Sequence, residues 1–134
     1  MKILLDTHYL IWLFTAPEKI ESRFKRQLQN EENEIYYSQI NLWEISIKYH
    51  LGKLKLDGGD PETLCEEIEG SFLLCKRLEN KELATFHKCP KLHKDPFDRF
   101  LIWQSILTEM HFLSQDGPIE GYRKFGLKLL KDTV

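Results

Sequence analysis

Lys2-Ile3-Leu4-Leu5-Asp6-Thr7-His8-Tyr9-Leu10-Ile11-Trp12-Leu13-Phe14 decides the class of the fold. Ile3-Leu4-Leu5 is a short apolar run, the pattern of a strand buried on both faces in a parallel sheet. It stops at Asp6-Thr7, and Tyr9 to Phe14 continues as an apolar helix until Thr15-Ala16-Pro17-Glu18 breaks it. A buried strand, a carboxylate and then a helix make the opening of an α/β unit.

The same alternation continues along the chain. Pro17 opens a second helix through about Asn30, with Ile20, Phe24 and Leu28 spaced by four on one face. Ile35-Tyr36-Tyr37 is the second strand. Ser38 to Asn41 is a cap region, Leu42 to Leu51 a helix, and Gly52 stands where a C-cap glycine belongs. Pro61 opens a helix to about Glu69, and Phe72 to Cys75 is a third strand. Asn80 to Lys88 is a short helix. Asp95 to about Met110 is a long one, with Asp95 as N-cap and Pro96 at its first position. Phe112-Leu113-Ser114 is a fourth strand, Pro118 to Tyr122 a turn or short helix, and Phe125 to Leu130 a last strand at a sheet edge. Strands alternating with helices predict an α/β sandwich with a mainly parallel sheet. No repeat, low-complexity tract or linker divides it, so residues 1–134 form a single domain.

Composition sets the outer bounds. Hydrophobic content of 42% and aromatic content of 12% suffice for a packed interior and exclude a disordered chain. A formal net charge of -2 gives no global footprint of a nucleic-acid binder, although a local basic patch can serve. No apolar run is long enough to span a bilayer, and Asp6 comes too early for a signal peptide. Cys65, Cys75 and Cys89 lack a paired spacing, which argues against a disulfide framework or structural zinc and for a reducing, cytoplasmic setting.

The acidic residues carry the chemistry. In open parallel sheets, sites form beyond the carboxyl ends of the strands. Asp6 follows the first strand and Asp116 the fourth, so both would project at one sheet edge. Asp95 and Asp98 occupy a helix N-terminus, where a carboxylate is favoured by the helix dipole. Glu44 interrupts the apolar run Leu42-Trp43-Glu44-Ile45, and is either paired with Lys48 one turn on or aimed into the same cleft. Each position alone is ordinary. Together they crowd carboxylates that repel one another, and a hard divalent cation relieves that repulsion. Oxygen ligands without a Cys or His cluster point to Mg²⁺ or Mn²⁺, which activate water and stabilise the charge of phosphodiester cleavage.

Leu4-Leu5-Asp6-Thr7-His8, Leu42-Trp43-Glu44-Ile45-Ser46-Ile47-Lys48, Gly52-Lys53-Leu54, His93-Lys94-Asp95-Pro96-Phe97-Asp98-Arg99 and Ser114-Gln115-Asp116 keep the order and spacing of a known family. They resemble the PIN-domain ribonucleases, and among these the VapC-type toxins of prokaryotic type II toxin–antitoxin modules. The resemblance spans nearly the whole chain, and Asp-Pro-Phe-Asp-Arg is its most specific block. It implies a PIN-like α/β/α sandwich with a central, mainly parallel sheet of four or five strands. It implies an endoribonuclease that cuts RNA with one or two Mg²⁺ or Mn²⁺ ions held by Asp6, Glu44, Asp98 and Asp116. Asp95 is then a fifth site carboxylate or only the cap that holds Asp98, and the cap is preferred because it satisfies Asp95 locally. Thr7 would place a hydroxyl near the metal. Trp103 stands where family members commonly carry a small residue. A cognate antitoxin protein would be the partner and a homodimer the usual assembly. The antitoxin's C-terminal segment would lie in a groove lined by Tyr9, Trp12, Leu13 and Phe14, residues that could equally be buried in the domain or in a homodimer.

The remaining features are weaker. His8 and His93 flank the acidic centre, and no histidine pair has zinc spacing. Trp12, Trp43 and Trp103 lie on helices among apolar residues, the pattern of core or interface and not of base-stacking platforms. Lys48, Lys53, Lys55, Lys91, Lys94 and Arg99 are a solvated surface or a basic rim for RNA phosphates, and Arg99 is four positions from Asp95, close enough to pair with it. Two other functions compete. An aspartate-based phosphatase would want a second Asp where His8 stands. An RNA- or protein-binding module without catalysis has no need to concentrate negative charge opposite RNA.

Overall fold

In a computed structural model, which describes residues 1–115 and 117–134, the first strand is the centre of the molecule. That strand, β1 (Lys2–Leu5), is followed by α1 (Thr7–Thr15), α2 (Ser22–Gln29) and β2 (Glu34–Ser38). Next come α3 (Gln39–His50), α4 (Pro61–Glu69), β3 (Leu74–Lys76), α5 (Asn80–Thr85), α6 (Pro96–Thr108), β4 (His111–Leu113) and β5 (Lys128–Leu129). The described strands form one sheet in the order β3-β2-β1-β4-β5, and every pairing is parallel. This is the α/β/α sandwich the sequence predicts.

Both faces of β1 are covered. Ile3 and Leu5 join one apolar cluster with Tyr9, Leu10, Phe24 and Ile45 from the helices that follow β1 and β2. Leu4 points the other way, into a cluster with Phe100, Leu101, Ile102 and Tyr122. All three strand residues are fully buried, which explains why the run is continuous and not alternating. Removing any one of them to Ala would cost about 2–5 kcal/mol.

Chain order reverses between β1 and β4. The chain first moves outward through β2 to β3, then returns past β1 to lay down β4 and β5 on its other side. The gap beyond the carboxyl ends of β1 and β4 is therefore the switch point where such sheets form sites.

Several boundaries differ from expectation for local reasons. Pro17–Lys19 makes only one tight turn, and Ile20 is extended with ψ 126° before α2 starts at Ser22. The break lets Ile20 enter the core beside Phe24 and Leu28, so the apolar face is as expected and the helix start is not. Helix α3 begins at Gln39, earlier than expected, because Ser38 and Asn41 form a reciprocal capping box. The third strand is shifted to Leu74–Lys76 by its register against Tyr36–Ser38, which leaves Phe72 exposed. The helix expected over Asn80–Lys88 tightens into a 3₁₀ turn at Phe86–Lys88, and Gly117–Phe125 is likewise 3₁₀. Strand β5 lies at the edge as expected but is short, because Gly126 takes a left-handed φ of 101° and turns the chain just before it.

Candidate metal centre

Asp6 leaves the end of β1 and caps α1, its Oδ1 accepting from the Tyr9 N–H at 2.9 Å. It is buried, and with His8, Tyr9, Trp12 and Gln115 it lines a cleft of about 310 Å³. Burial and the negative charge of Asp6 push the Tyr9 phenol up to about 12, so the ring stays protonated.

The next residue turns away from that cleft and into the sheet edge. The Thr7 hydroxyl donates to Oε1 of Glu44 and accepts from Nδ2 of Asn41 at 3.0 Å. Asn41 in turn takes the Ser38 N–H on its Oδ1 at 2.7 Å. Glu44 is 2% exposed, so its position is fixed by Thr7, and Thr7 by the cap of α3. Asp6 caps α1, and the Thr7 hydroxyl holds Glu44, a member of the acidic cluster.

Helix α6 brings the other carboxylates. Asp95 Oδ1 accepts from the N–H groups of Phe97 at 2.8 Å and Asp98 at 3.2 Å, the cap read from sequence. Its Oδ2 faces α3, where Lys48 Nζ lies 3.1 Å away and also contacts Glu44 Oε2. Ligand-capable oxygens of Glu44, Asp95 and Asp98 all lie within 4.8 Å of one another. Asp95 is thus cap and cluster member at once. Burial works to raise the Asp95 pKa, but the Lys48 ammonium and the helix N–H groups outweigh it and hold the carboxyl below its usual range. Lys48 is itself held above the usual range: burial opposes this, and its bonds to Glu44 and Asp95 prevail.

Of the four carboxylates expected to act together, Glu44 and Asp98 meet. Asp6 is not in the close group with Asp95, although its neighbour Thr7 touches Glu44. Asp116 lies outside the described residues. His93 does flank the centre. Its Nδ1 accepts the Asp95 N–H at 3.0 Å, which leaves Nε2, 3.4 Å from Asp98 Oδ2, as the protonated nitrogen. His8 is exposed at the rim of the Asp6 cleft. Arg99 does not take Asp95; its guanidinium stacks over Phe86 at 5.0 Å.

Packing locates the aromatic residues of α1, α3 and α6. Trp12, Leu13 and Phe14 are half-buried against the core, and Tyr9 is inside it. Trp43 is 59% exposed and meets Phe97 edge-on at 5.4 Å, so it is not a core residue of this domain. Trp103 fits the long helix by donating its Nε1 to Thr85 at 3.2 Å.

Sequence reading missed the buried polar line behind the centre. Ser38 Oγ donates to Gln104 at 2.6 Å, Gln104 Nε2 to Glu82 at 3.0 Å, and Lys76 Nζ pairs with Glu82 at 2.7 Å. Lys76, Glu82 and Gln104 read as ordinary polar positions, and no local pattern marks their pairing. Three oxygen ligands with no soft donor form a set that suits a hard divalent cation. No helix among the described residues is long and apolar enough to cross a membrane.

Known proteins share this fold. The PIN domain family model matches residues 3–123. No curated protein sequence matches the chain. Among solved structures, it is similar to a chain of VapBC2 from Rickettsia felis bound to a DNA fragment from their promoter. That match has a TM-score of 0.66 and 17% identity, over 96% of this chain and 97% of that one. It is similar to a chain of VapBC-1 from nontypeable Haemophilus influenzae with a TM-score of 0.65 and 18% identity, over 96% of each. A DNA-bound VapBC from Salmonella typhimurium gives 0.60 and 20%, again over 96% of each. At these identities the likeness is one of fold.

Proposed function

Because the chain belongs to the PIN domain family, we propose that it is a metal-dependent endoribonuclease, the toxin of a toxin–antitoxin module. The observation that carries this reading is the cluster of Glu44, Asp95 and Asp98 within 4.8 Å at the switch-point edge of the sheet. Three carboxylates share this edge against the one ammonium of Lys48, an excess of negative charge that a divalent cation would balance.

Glu44 and Asp98 would hold Mg²⁺ or Mn²⁺ with Asp95 beside them, and Asp6 and Asp116 are the further ligands that the family resemblance implies. When bound, the cation supplies a Lewis acid and activates water for attack on a phosphodiester. The chain's own residues fix the geometry. Thr7 orients Glu44, the N-cap of α6 orients Asp95, and His93 presents an N–H toward Asp98. Lys48 supplies positive charge against the incoming phosphates.

The neighbours of similar fold are VapBC complexes, which supports a cognate antitoxin as partner. A homodimer and a cytoplasmic setting belong to the same reading. The test is cleavage of end-labelled single-stranded RNA by the purified chain. Cleavage should require Mg²⁺ or Mn²⁺, stop with EDTA and be lost in Glu44→Gln. Cutting that persists in EDTA, or RNA binding with no cutting at any metal concentration, would overturn it.

A further inference from the structure

Two carboxylates from different helices meet on one ammonium. Glu44 gives Oε1 to Thr7 and Oε2 to Lys48. Asp95 gives Oδ1 to the backbone of α6 and Oδ2 to the same Lys48 Nζ. The oxygens through which the two helices could share a cation are therefore both taken by Lys48. A carboxylate only 2% exposed, as Glu44 is, needs such a charge close by.

Lys48 is built to leave. Its side chain is 29% exposed, and its Nζ lies 5.8 Å from the centre of the Phe97 ring at the mouth of the cluster. Rotation of its four-carbon stem moves the ammonium to solvent without shifting α3 or α6. Both helix starts are held by bonds that Lys48 does not make, those of Ser38 and Asn41 in α3 and those of Asp95 Oδ1 in α6.

We propose that Lys48 is a resident counter-ion of the acidic centre, displaced when a divalent cation engages Glu44 and Asp95. This rests on the reading of the centre as a metal site and adds how that site is regulated. Metal-free, the chain keeps its carboxylates together on its own lysine. Metal loading and Lys48 release are one exchange of charges, so the apparent metal affinity is reduced by what Lys48 contributes.

The experiment is Mn²⁺ titration of the full chain at fixed ionic strength, followed by the electron paramagnetic resonance signal of free Mn²⁺. Lys48→Met should bind Mn²⁺ about tenfold tighter or more, and Lys48→Arg no tighter than wild type. Metal-free Lys48→Met should melt below wild type, with the gap closing at saturating Mn²⁺. A second measurement uses the unaltered chain: mass spectrometry of lysine acylation. Lys48 should react slowly without metal and faster with saturating Mg²⁺, while exposed Lys81 stays constant. Equal or weaker Mn²⁺ binding by Lys48→Met overturns the displacement. So does unchanged Lys48 reactivity while Mg²⁺ binds, and that result stands even if the Met variant fails to fold. No Mn²⁺ binding by wild type or variants overturns the metal reading itself, and the counter-ion role with it.

Discussion

The hydroxyl of Thr7 donates to the carboxylate of Glu44, joining the first turn of α1 to the middle of α3 across 37 positions of sequence. Both residues are buried, and the same hydroxyl accepts from Asn41. One oxygen thus ties the end of the central strand to the acidic centre.

Thr7→Val keeps the shape of the side chain and removes the hydroxyl. It leaves a buried Glu44 oxygen and the Asn41 amide without this partner. Stability should fall by about 1–3 kcal/mol, read as the shift in urea midpoint. Thr7→Ser should recover most of it. Equal stability of the Val and Ser variants would show that the bond contributes nothing.

Asp98→Asn and Asp95→Asn should separate chemistry from capping. The amide at 98 removes negative charge that a hard cation requires, so RNA cleavage should fall to background. At 95, Asn still caps α6, and the ion pair lost with Lys48 is partly exposed. The stability cost should stay below about 1 kcal/mol, while Mn²⁺ affinity drops because Asp95 offers an oxygen to the cluster. Full activity in Asp98→Asn would reverse the two roles.

Lys76 and Glu82 form a pair whose side chains are 9% and 4% exposed. Lys76→Met strands a buried charge and should cost about 3–5 kcal/mol. Adding Glu82→Gln removes that charge and should restore part of the loss. Denaturant curves of the single and double variants measure the coupling; additive losses would mean the pair is not a unit.

His111 begins β4 beside Lys128 of β5. Burial, then Lys128, then the N-terminal ammonium hold its imidazole below the usual histidine pKa. A base whose folded pKa is depressed stabilises the fold above its unfolded value, roughly 6.5. That contribution is lost as pH falls from there through the folded value. Thermal stability should therefore decline between pH 7 and 5 more steeply in wild type than in His111→Gln. Parallel declines would assign the loss to other groups.

The sequence alone determined the layers. Ile3-Leu4-Leu5 is apolar throughout because the central strand is covered on both faces, and period-four spacing marks the helical faces. Asp95-Pro96 shows the start of α6 because capping is local chemistry: the side chain bonds N–H groups two and three residues on. Glu44 and Asp98 were legible as charges at places a sheet edge would gather. Only the tertiary structure decided which carboxylates touch, and that one lysine lies between two of them. The i to i+4 pairing of Glu44 and Lys48 is local, but the contact of Lys48 with Asp95 spans 47 positions and exists only because α3 and α6 pack together. The line from Lys76 through Gln104 to Ser38 was invisible for the same reason. A buried polar group selects partners by distance in space, and sequence spacing reports that distance only within one helix or one turn.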